Sequence, residues 1–382
     1  MEKPLISLCM IVKDEEQYLP RCLASVKEVV DEIIVVDTGS KDQTKAIAQS
    51  FGAKVYDFEW CDDFAAARNH SLEKATGKWI LVLDADEELE RDSGVRLKKL
   101  AQKDEADAYW VIQRNFYKNR LQHTLDVPVL RFFRNHPAYR YRKRYHEENA
   151  TSILENQGRI GKVPEGLLIF HDGYLRSSAQ GRPRLERSIR IMEAALKEEP
   201  RNAWLMAKLG IDLYSIGRVD EAYRYLYKFA TSESGELDYQ LVNLLDTHEA
   251  LAYLADLAVQ RGEFTLARHC GLASRQLTEV FELRMYSEFA VIAGTLGETA
   301  NFLNHLLRSG VSLHPNDLTP QTVVLSKQKL TELTELEKDI LALMEGFSTL
   351  LKPEQRNLLK GWLANCREYI QAIQRWTNVP VR

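Results

Sequence analysis

Residues 79–88 read Trp79-Ile80-Leu81-Val82-Leu83-Asp84-Ala85-Asp86-Glu87-Glu88, an unbroken apolar run that ends abruptly in carboxylates. Short runs of this kind read as strands buried on both faces. Three more precede it, Leu5 to Val12, Glu32 to Asp37 and Lys54 to Phe58, and each is followed by turn residues and then a helix-period segment. Strand, helix, strand in this alternation predicts an α/β domain with a mostly parallel sheet and helices on both faces. Beyond the fourth run the rhythm changes. Tyr109 to Phe116 and Val127 to Phe133 read as more exposed or antiparallel strands, and residues 158–173, with four glycines and a proline, read as a loop returning to a last strand, Leu167 to His171.

From about Gly181 the pattern is helical almost throughout. Leu209, Gly210, Gly217, Ala222 and Phe229 are spaced 1, 7, 5 and 7 apart, close to the tetratricopeptide pattern in which small residues let two antiparallel helices approach. Gly262 and Ala267 reuse the step of five, and Gly297 suggests a third unit. The first two units are 45 residues apart, longer than the repeat period of about 34, so ordinary helix hairpins with small residues at the crossings remain an alternative. Lys327 to Trp376 reads as two amphipathic helices broken near Lys352-Pro353, which either cap the array or pack on a partner as in a homodimer. The expected domains are 1–175 (α/β), 176–310 (helical repeats) and 311–382 (C-terminal helices).

The chain has 382 residues, enough for two to three cores, with 51 Lys and Arg against 55 Asp and Glu. That balance gives no global electrostatic reason to expect nucleic acid or anionic lipid. The five cysteines form no C-x-x-C pair, which argues against a zinc or redox motif and for a reducing, cytoplasmic setting. The N-terminal apolar run is far short of a membrane span.

The chemistry gathers at strand ends. Asp84 and Asp86, two apart at the carboxyl end of a buried strand, project toward the edge where open α/β sheets bind ligands. Hard oxygen ligands with room for phosphate oxygens suit Mg²⁺ or Mn²⁺. D-x-D alone is a weak signal, and Glu87 and Glu88 are expected simply to begin the next helix, where acids favour the positive dipole end. Asp84 is different, because an acid closing an apolar strand needs a partner to offset its desolvation. Asp37 closes the second strand in the same way, while Ser40 and Asp42 read as caps of the helix that follows. The first strand runs into Lys13-Asp14-Glu15-Glu16, so three strand ends bring acids to one edge. Clustered carboxylates repel unless a metal ion, ribose hydroxyls or a nucleobase N–H sits among them. Asp62 or Asp63 is a cap candidate for the helix carrying Arg68 and Asn69.

The set Lys13-Asp14-Glu15-Glu16, Val36-Asp37-Thr38-Gly39-Ser40, Phe64-Ala65-Ala66-Ala67-Arg68-Asn69 and Asp84-Ala85-Asp86 resembles family 2 glycosyltransferases of the GT-A fold. Arg131-Phe132-Phe133-Arg134, Tyr145-His146-Glu147-Glu148 and His171-Asp172-Gly173-Tyr174, followed by tetratricopeptide-like helices, resemble a bacterial branch that includes peptide S-glycosyltransferases of the sublancin type. The resemblance implies an inverting, metal-dependent transferase using a UDP-sugar. It implies Asp37 on the uracil, Glu15 and Asp84 on the ribose or base side, Arg68 holding the nucleotide, and Asp86 on the Mn²⁺ or Mg²⁺ ion. Asp14 stands where relatives usually have Asn and receives no role.

A late histidine is a common second metal ligand in this fold, which makes His171 the candidate; the alternative is a hinge residue bonding backbone. Glu147 would be the general base, with His146 as its alternative or orienting partner; both could otherwise cap a helix. The basic run from Arg131 to Arg144 is expected to be solvated except for Arg131 or Arg134, one of which points inward. The acceptor is expected to be a Cys, Ser or Thr side chain of a peptide or protein lying along the repeats. A glycan or lipid acceptor, or a catalytically silent adaptor, is the rival reading.

Overall fold

The computed structural model describes residues 3–117, 120–162, 166–172, 181–232, 237–238, 248–277, 281–308, 320–346 and 353–377. Gly173 and Tyr174 of the quoted motif, and the expected boundaries at 175 and 310, lie outside these residues. Contacts divide the chain into two compact units, Met1–Glu199 and Pro200–Arg382.

The first unit opens with β1 (Ile6–Val12), α1 (Leu19–Val26), β2 (Glu32–Asp37), α2 (Thr44–Ser50), β3 (Lys54–Asp57), α3 (Phe64–Lys74) and β4 (Trp79–Val82). There follow β5 (Glu87–Leu89), α4 (Arg91–Ala101), β6 (Ala108–Tyr117), β7 (Arg120–Arg134), α5 (Ala150–Glu155), β8 (Ile160–Gly161), β9 (Leu168–His171) and α6 (Gly181–Glu198). Among the described residues these strands form one sheet in the order β3-β2-β1-β4-β7-β6-β9-β5, with β8 beside β6. The β3-β2-β1-β4 half is parallel, as the sequence predicts. Beyond it β7 runs antiparallel to β4 and β6 antiparallel to β7, as the change of rhythm suggests.

The two-residue period of the strands sends alternate side chains into two cores. Leu8, Met10, Val35 and Leu81 join Leu19, Leu23, Ala48 and Leu97 of α1, α2 and α4 on one face. Cys9, Ile34, Ile80 and Val82 join Ala65 and Leu72 of α3 and Ile153 of α5 on the other. Helices therefore cover both faces, and the charged side chains of β1, β2 and β4, Glu32 and Asp37, lie at strand ends. Because these three strands are parallel, their carboxyl ends share one edge.

Two local expectations are corrected. Glu87 does not start a helix: it opens the short strand β5, fully buried, and the following helix α4 is capped by Glu90 instead. Ser40 does not cap α2, because its Oγ accepts the backbone N–H of Asp14 at 2.9 Å across the sheet edge. Asp14 returns the contact by accepting the Lys41 N–H at 2.7 Å, and sits at φ 54, a conformation that Asp and Asn tolerate. What the position uses is a side-chain acceptor, which an amide supplies equally. Asp14→Asn should therefore change unfolding free energy by only about 0.5 kcal/mol or less in a urea titration; a larger loss would show that the charge matters.

Helix α6, which the sequence reading assigns to the repeats, groups with the first unit. Arg190 pairs with Asp62 at 3.5 Å, Glu198 accepts from Arg144 at 2.7 Å, and the Arg187 guanidinium lies over the Phe64 ring.

The second unit is helical. Its described residues form α7 (Ala203–Ser215), α8 (Val219–Ala230), α9 (His248–Gln260), α10 (Phe264–Leu277), α11 (Phe281–Arg308), α12 (Pro320–Gly346) and α13 (Pro353–Thr377). The α7–α8 hairpin is the predicted one: a Cβ on Gly210 would lie 2.5 Å from Leu226 Cγ, so only glycine permits the crossing. Gly297 starts no third hairpin. It lies within the continuous helix α11, where the Phe264 ring occupies the space a side chain would need. Helices α11, α12 and α13 share a core of their own, from Ile292 and Leu296 to Leu333, Ile340, Leu359 and Ile373. No helix of the described residues is long and apolar enough to cross a membrane.

Candidate active site

The edge at the carboxyl ends of β1, β2 and β4 is built by two turns stitched together. Besides the Asp14 and Ser40 pair, the Glu15 N–H donates to Thr44 Oγ1 at 2.7 Å and the Gln43 N–H to Glu16 Oε2 at 3.0 Å. Glu15 is thereby fixed at the rim, half-buried. Asp37 lies beneath it, fully buried. Its Oδ1 accepts the backbone N–H groups of Gly39 and Ser40 at 2.9 and 2.8 Å, while its Oδ2 is buried with no protein donor. A buried carboxylate oxygen without a donor is costly, and it suits a ligand that brings an N–H.

Next along the edge is a charge cluster centred on Arg68. This arginine projects from α3, whose start is set by Asp63 accepting the Ala66 N–H at 2.9 Å. Its Nη2 donates to Asp84 Oδ1 at 2.8 Å and its Nε to Glu147 Oε1 at 2.6 Å, and its guanidinium lies over the Tyr141 ring. Arg131, from β7, takes the other oxygen of Asp84 at 2.8 Å and reaches Glu87 at 3.2 Å. Glu87 Oε2 in turn accepts the Asp84 backbone N–H at 2.7 Å, and its Oε1 accepts from Gln113. Arg68 keeps one buried nitrogen, Nη1, without a protein acceptor.

The protonation states follow from these contacts. Burial works against ionisation of Asp84, but Arg131 and Arg68 outweigh it and hold its carboxyl well below the usual carboxylate range. For Glu87 burial prevails over Arg131, and its carboxyl is raised. Burial pushes the Tyr141 phenol up to about 12, so it remains a neutral hydroxyl.

At the far end of the same edge β9 brings His171 to Asp86. The ring Nε2 lies 3.6 Å from Asp86 Oδ2, and Nδ1 is 2.6 Å from Asn115 Oδ1. The Asp172 N–H donates to the Asp86 backbone carbonyl at 3.1 Å, joining the two segments. Burial would lower the His171 pKa, but the hydrogen bond and charge of Asp86, with Glu87 and Asp84 behind it, raise it above the ordinary value. Among the described residues no three His, Cys, Asp or Glu side chains form a metal cage. The pair fits a hard divalent ion that takes its remaining ligands from water and phosphate oxygens.

The sequence-derived candidates thus form two groups. Asp84 and Glu147 are both bonded to Arg68, and Asp86 is beside His171. Glu15 and Asp37 stand on the adjoining strand ends. His146 is exposed at φ 52, its ring beside that of Tyr145. Of the two arginines expected to compete for the interior, Arg131 points in, whereas Arg134 pairs with Asp104 and Asp107 and lies over Trp79. Glu87, Gln113, Asn115 and Tyr141 are residues that the sequence reading missed. Glu87 carried a signal, an acid three residues from an inward arginine's partner, Asp84. The others carried none.

The family model described as glycosyl transferase family 2 matches residues 7–157. A TPR repeat-containing protein of Synechococcus elongatus is 43% identical over 226 residues, covering 58% of this chain and 55% of that one. The SPbeta prophage-derived glycosyltransferase SunS of Bacillus subtilis is 28% identical over 265 residues, 69% of this chain and 61% of its own. This chain thus spans somewhat over half the length of those relatives. The crystal structure of S. aureus TarS 1-349 in complex with UDP-GlcNAc aligns at 15% identity with a TM-score of 0.38, over 78% of this chain and 91% of that one. That likeness is too loose for residue correspondences. The strand order, the carboxylate edge and the match over residues 7–157 together place the N-terminal domain of this chain in glycosyl transferase family 2, with the GT-A fold.

Proposed function

We propose that the chain is an inverting glycosyltransferase that moves a hexose or N-acetylhexosamine from a UDP-sugar to a Cys, Ser or Thr side chain of a peptide or protein. What supports this most directly is the pairing of Asp86 with His171 on the same sheet edge as a buried Asp37 that keeps an oxygen for a ligand N–H. Asp37 Oδ2 would accept the imide N–H of uracil, and Glu15 would meet the ribose. Asp84 has each oxygen on an arginine and its side chain is 30% exposed, so it holds Arg68 and Arg131 and would keep a lone pair for the ribose or base side. Arg68, with Nη1 unused, stays available to an anionic ligand. Asp86 and His171 would hold Mn²⁺ or Mg²⁺, which when bound neutralises charge on the departing diphosphate as a Lewis acid.

Glu147 is the base on this reading. Its Oε1 is engaged by Arg68, so the acceptor proton would go to Oε2 while C1 is attacked from the side opposite UDP. His146, on the same exposed turn, is the alternative. The repeat-containing relative supports a peptide acceptor, since stacked hairpins offer an extended surface to a chain, and the relative named a glycosyltransferase supports sugar transfer. Free thiols at all five cysteines suit a reducing, cytoplasmic setting.

The test is intact-mass analysis after incubation with Mn²⁺, a panel of UDP-sugars, and peptides bearing Cys or Ser. A gain of one sugar residue is expected. Glu147→Gln should slow transfer to a hydroxyl by about 10²-fold and to a thiol by less, because a thiol ionises closer to neutral pH. No sugar consumed with any acceptor, together with UDP affinity indifferent to Mn²⁺, would favour an inactive adaptor instead.

A further inference from the structure

Four neighbouring strands contribute one residue each to a single register row. Leu125 of β7 is opposite Asn115 of β6, Asn115 is opposite His171 of β9, and His171 is opposite Glu87 of β5. Directly opposed residues project to the same face of a sheet, so the row fixes which side chains meet. Asn115 is 4% exposed and bonds on both sides.

The hydrogen bonds along this row have one consistent direction. A carbonyl can only accept, so the Leu125 oxygen requires the Asn115 Nδ2, which donates to it at 3.0 Å. That choice turns the amide oxygen of Asn115 toward His171 Nδ1, 2.6 Å away. An amide oxygen also only accepts, so the ring proton lies on Nδ1. In a neutral imidazole the lone pair is then on Nε2, the nitrogen that faces Asp86 Oδ2 at 3.6 Å. A protonated ring donates its Nε2–H to Asp86, and in the neutral ring Nε2 and Asp86 Oδ2 together offer lone pairs to a divalent cation that displaces that proton.

We infer that Asn115 is a positioning residue for a divalent-cation site: it locks His171 in the Nδ1–H tautomer and aims Nε2 at the space shared with Asp86. The inference rests on the reading of Asp86 and His171 as cation ligands given above. Asn115 itself touches neither cation nor nucleotide. An outer partner of this kind sets ligand orientation and basicity, and its loss weakens metal affinity by about 10- to 100-fold.

The experiment uses the full chain with Mn²⁺ alone and with Mn²⁺ plus UDP, read by calorimetry. Ring ¹⁵N shifts of His171, identified by their absence in His171→Gln, report the tautomer without metal. Asn115→Leu removes the acceptor and should weaken Mn²⁺ binding about 10- to 100-fold and release the Nδ1–H tautomer. Asn115→Asp keeps an acceptor and should retain affinity within about threefold. Thermal unfolding and metal-free UDP binding establish that each variant is folded.

Equal Mn²⁺ affinity in the parent and Asn115→Leu would overturn the inference, as would a neutral parent ring, observed at alkaline pH, that carries its single proton on Nε2. A tenfold loss in Asn115→Asp would do the same if the leucine variant fails to fold. A parent chain that binds no Mn²⁺ would overturn the cation reading itself, a result distinct from a parent that binds and a variant that binds equally.

Discussion

Replacing Asp86 with alanine should reduce metal-dependent sugar transfer by about 10²-fold or more while leaving the domain folded. The size follows from the role proposed for residue 86, one of two protein ligands to an ion that would neutralise the leaving diphosphate and contribute several kcal/mol. The fold should survive because the backbone carbonyl of residue 86 still accepts from the Asp172 N–H, although the side-chain contact with His171 is lost. The check is the rate of UDP release at several Mn²⁺ concentrations, with UDP affinity measured with and without the ion. Loss of the Mn²⁺ dependence is the expected signature. Undiminished turnover at low Mn²⁺ would remove Asp86 from the site.

The second large effect concerns stability rather than chemistry. Asp84→Ala leaves Arg68 and Arg131, whose side chains are 6% and 12% exposed, facing one another without the carboxylate between them. Breaking a buried pair by deleting one partner costs about 3–5 kcal/mol. Each arginine keeps a second acceptor, Glu147 at 2.6 Å and Glu87 at 3.2 Å, which argues for the lower end of that range, about 3 kcal/mol. Asp84→Asn should be little better, because an amide has one accepting oxygen for two donors and its NH₂ would oppose an arginine. Hydrogen exchange of β1, β2 and β4 in urea would isolate the first unit's transition from the second's. A loss below about 1 kcal/mol would show that the cluster tolerates the missing charge.

What the sequence discloses depends on how local the cause is. Apolar runs closed by acids identify β1, β2 and β4, because burying a carboxylate at a strand end is costly enough to demand a reason. Asp84 had to have a partner, and the structure supplies Arg68 and Arg131. The identity of those partners was only half legible: Arg131 lies on a strand whose pairing with β4 is set by tertiary register. Glu87 was misjudged because acids at the start of a helix look the same in sequence as acids opening a three-residue strand. Asn115 carries no local mark, since its meaning comes from standing between two strands that are 10 and 56 residues away along the chain. Gly297 shows the converse error, a small residue read as the mark of a third repeat unit when it makes room for Phe264.

Strand β9 has four residues, Leu168–His171, and its neighbours hold it by only a few backbone pairings. A slip of one position would send His171 to the opposite surface and bring Phe170 to the spot opposite Asn115. Insertions or deletions in the connection leading into β9 should therefore be far less tolerable than substitutions there, so its length, more than its composition, is what natural variation must preserve.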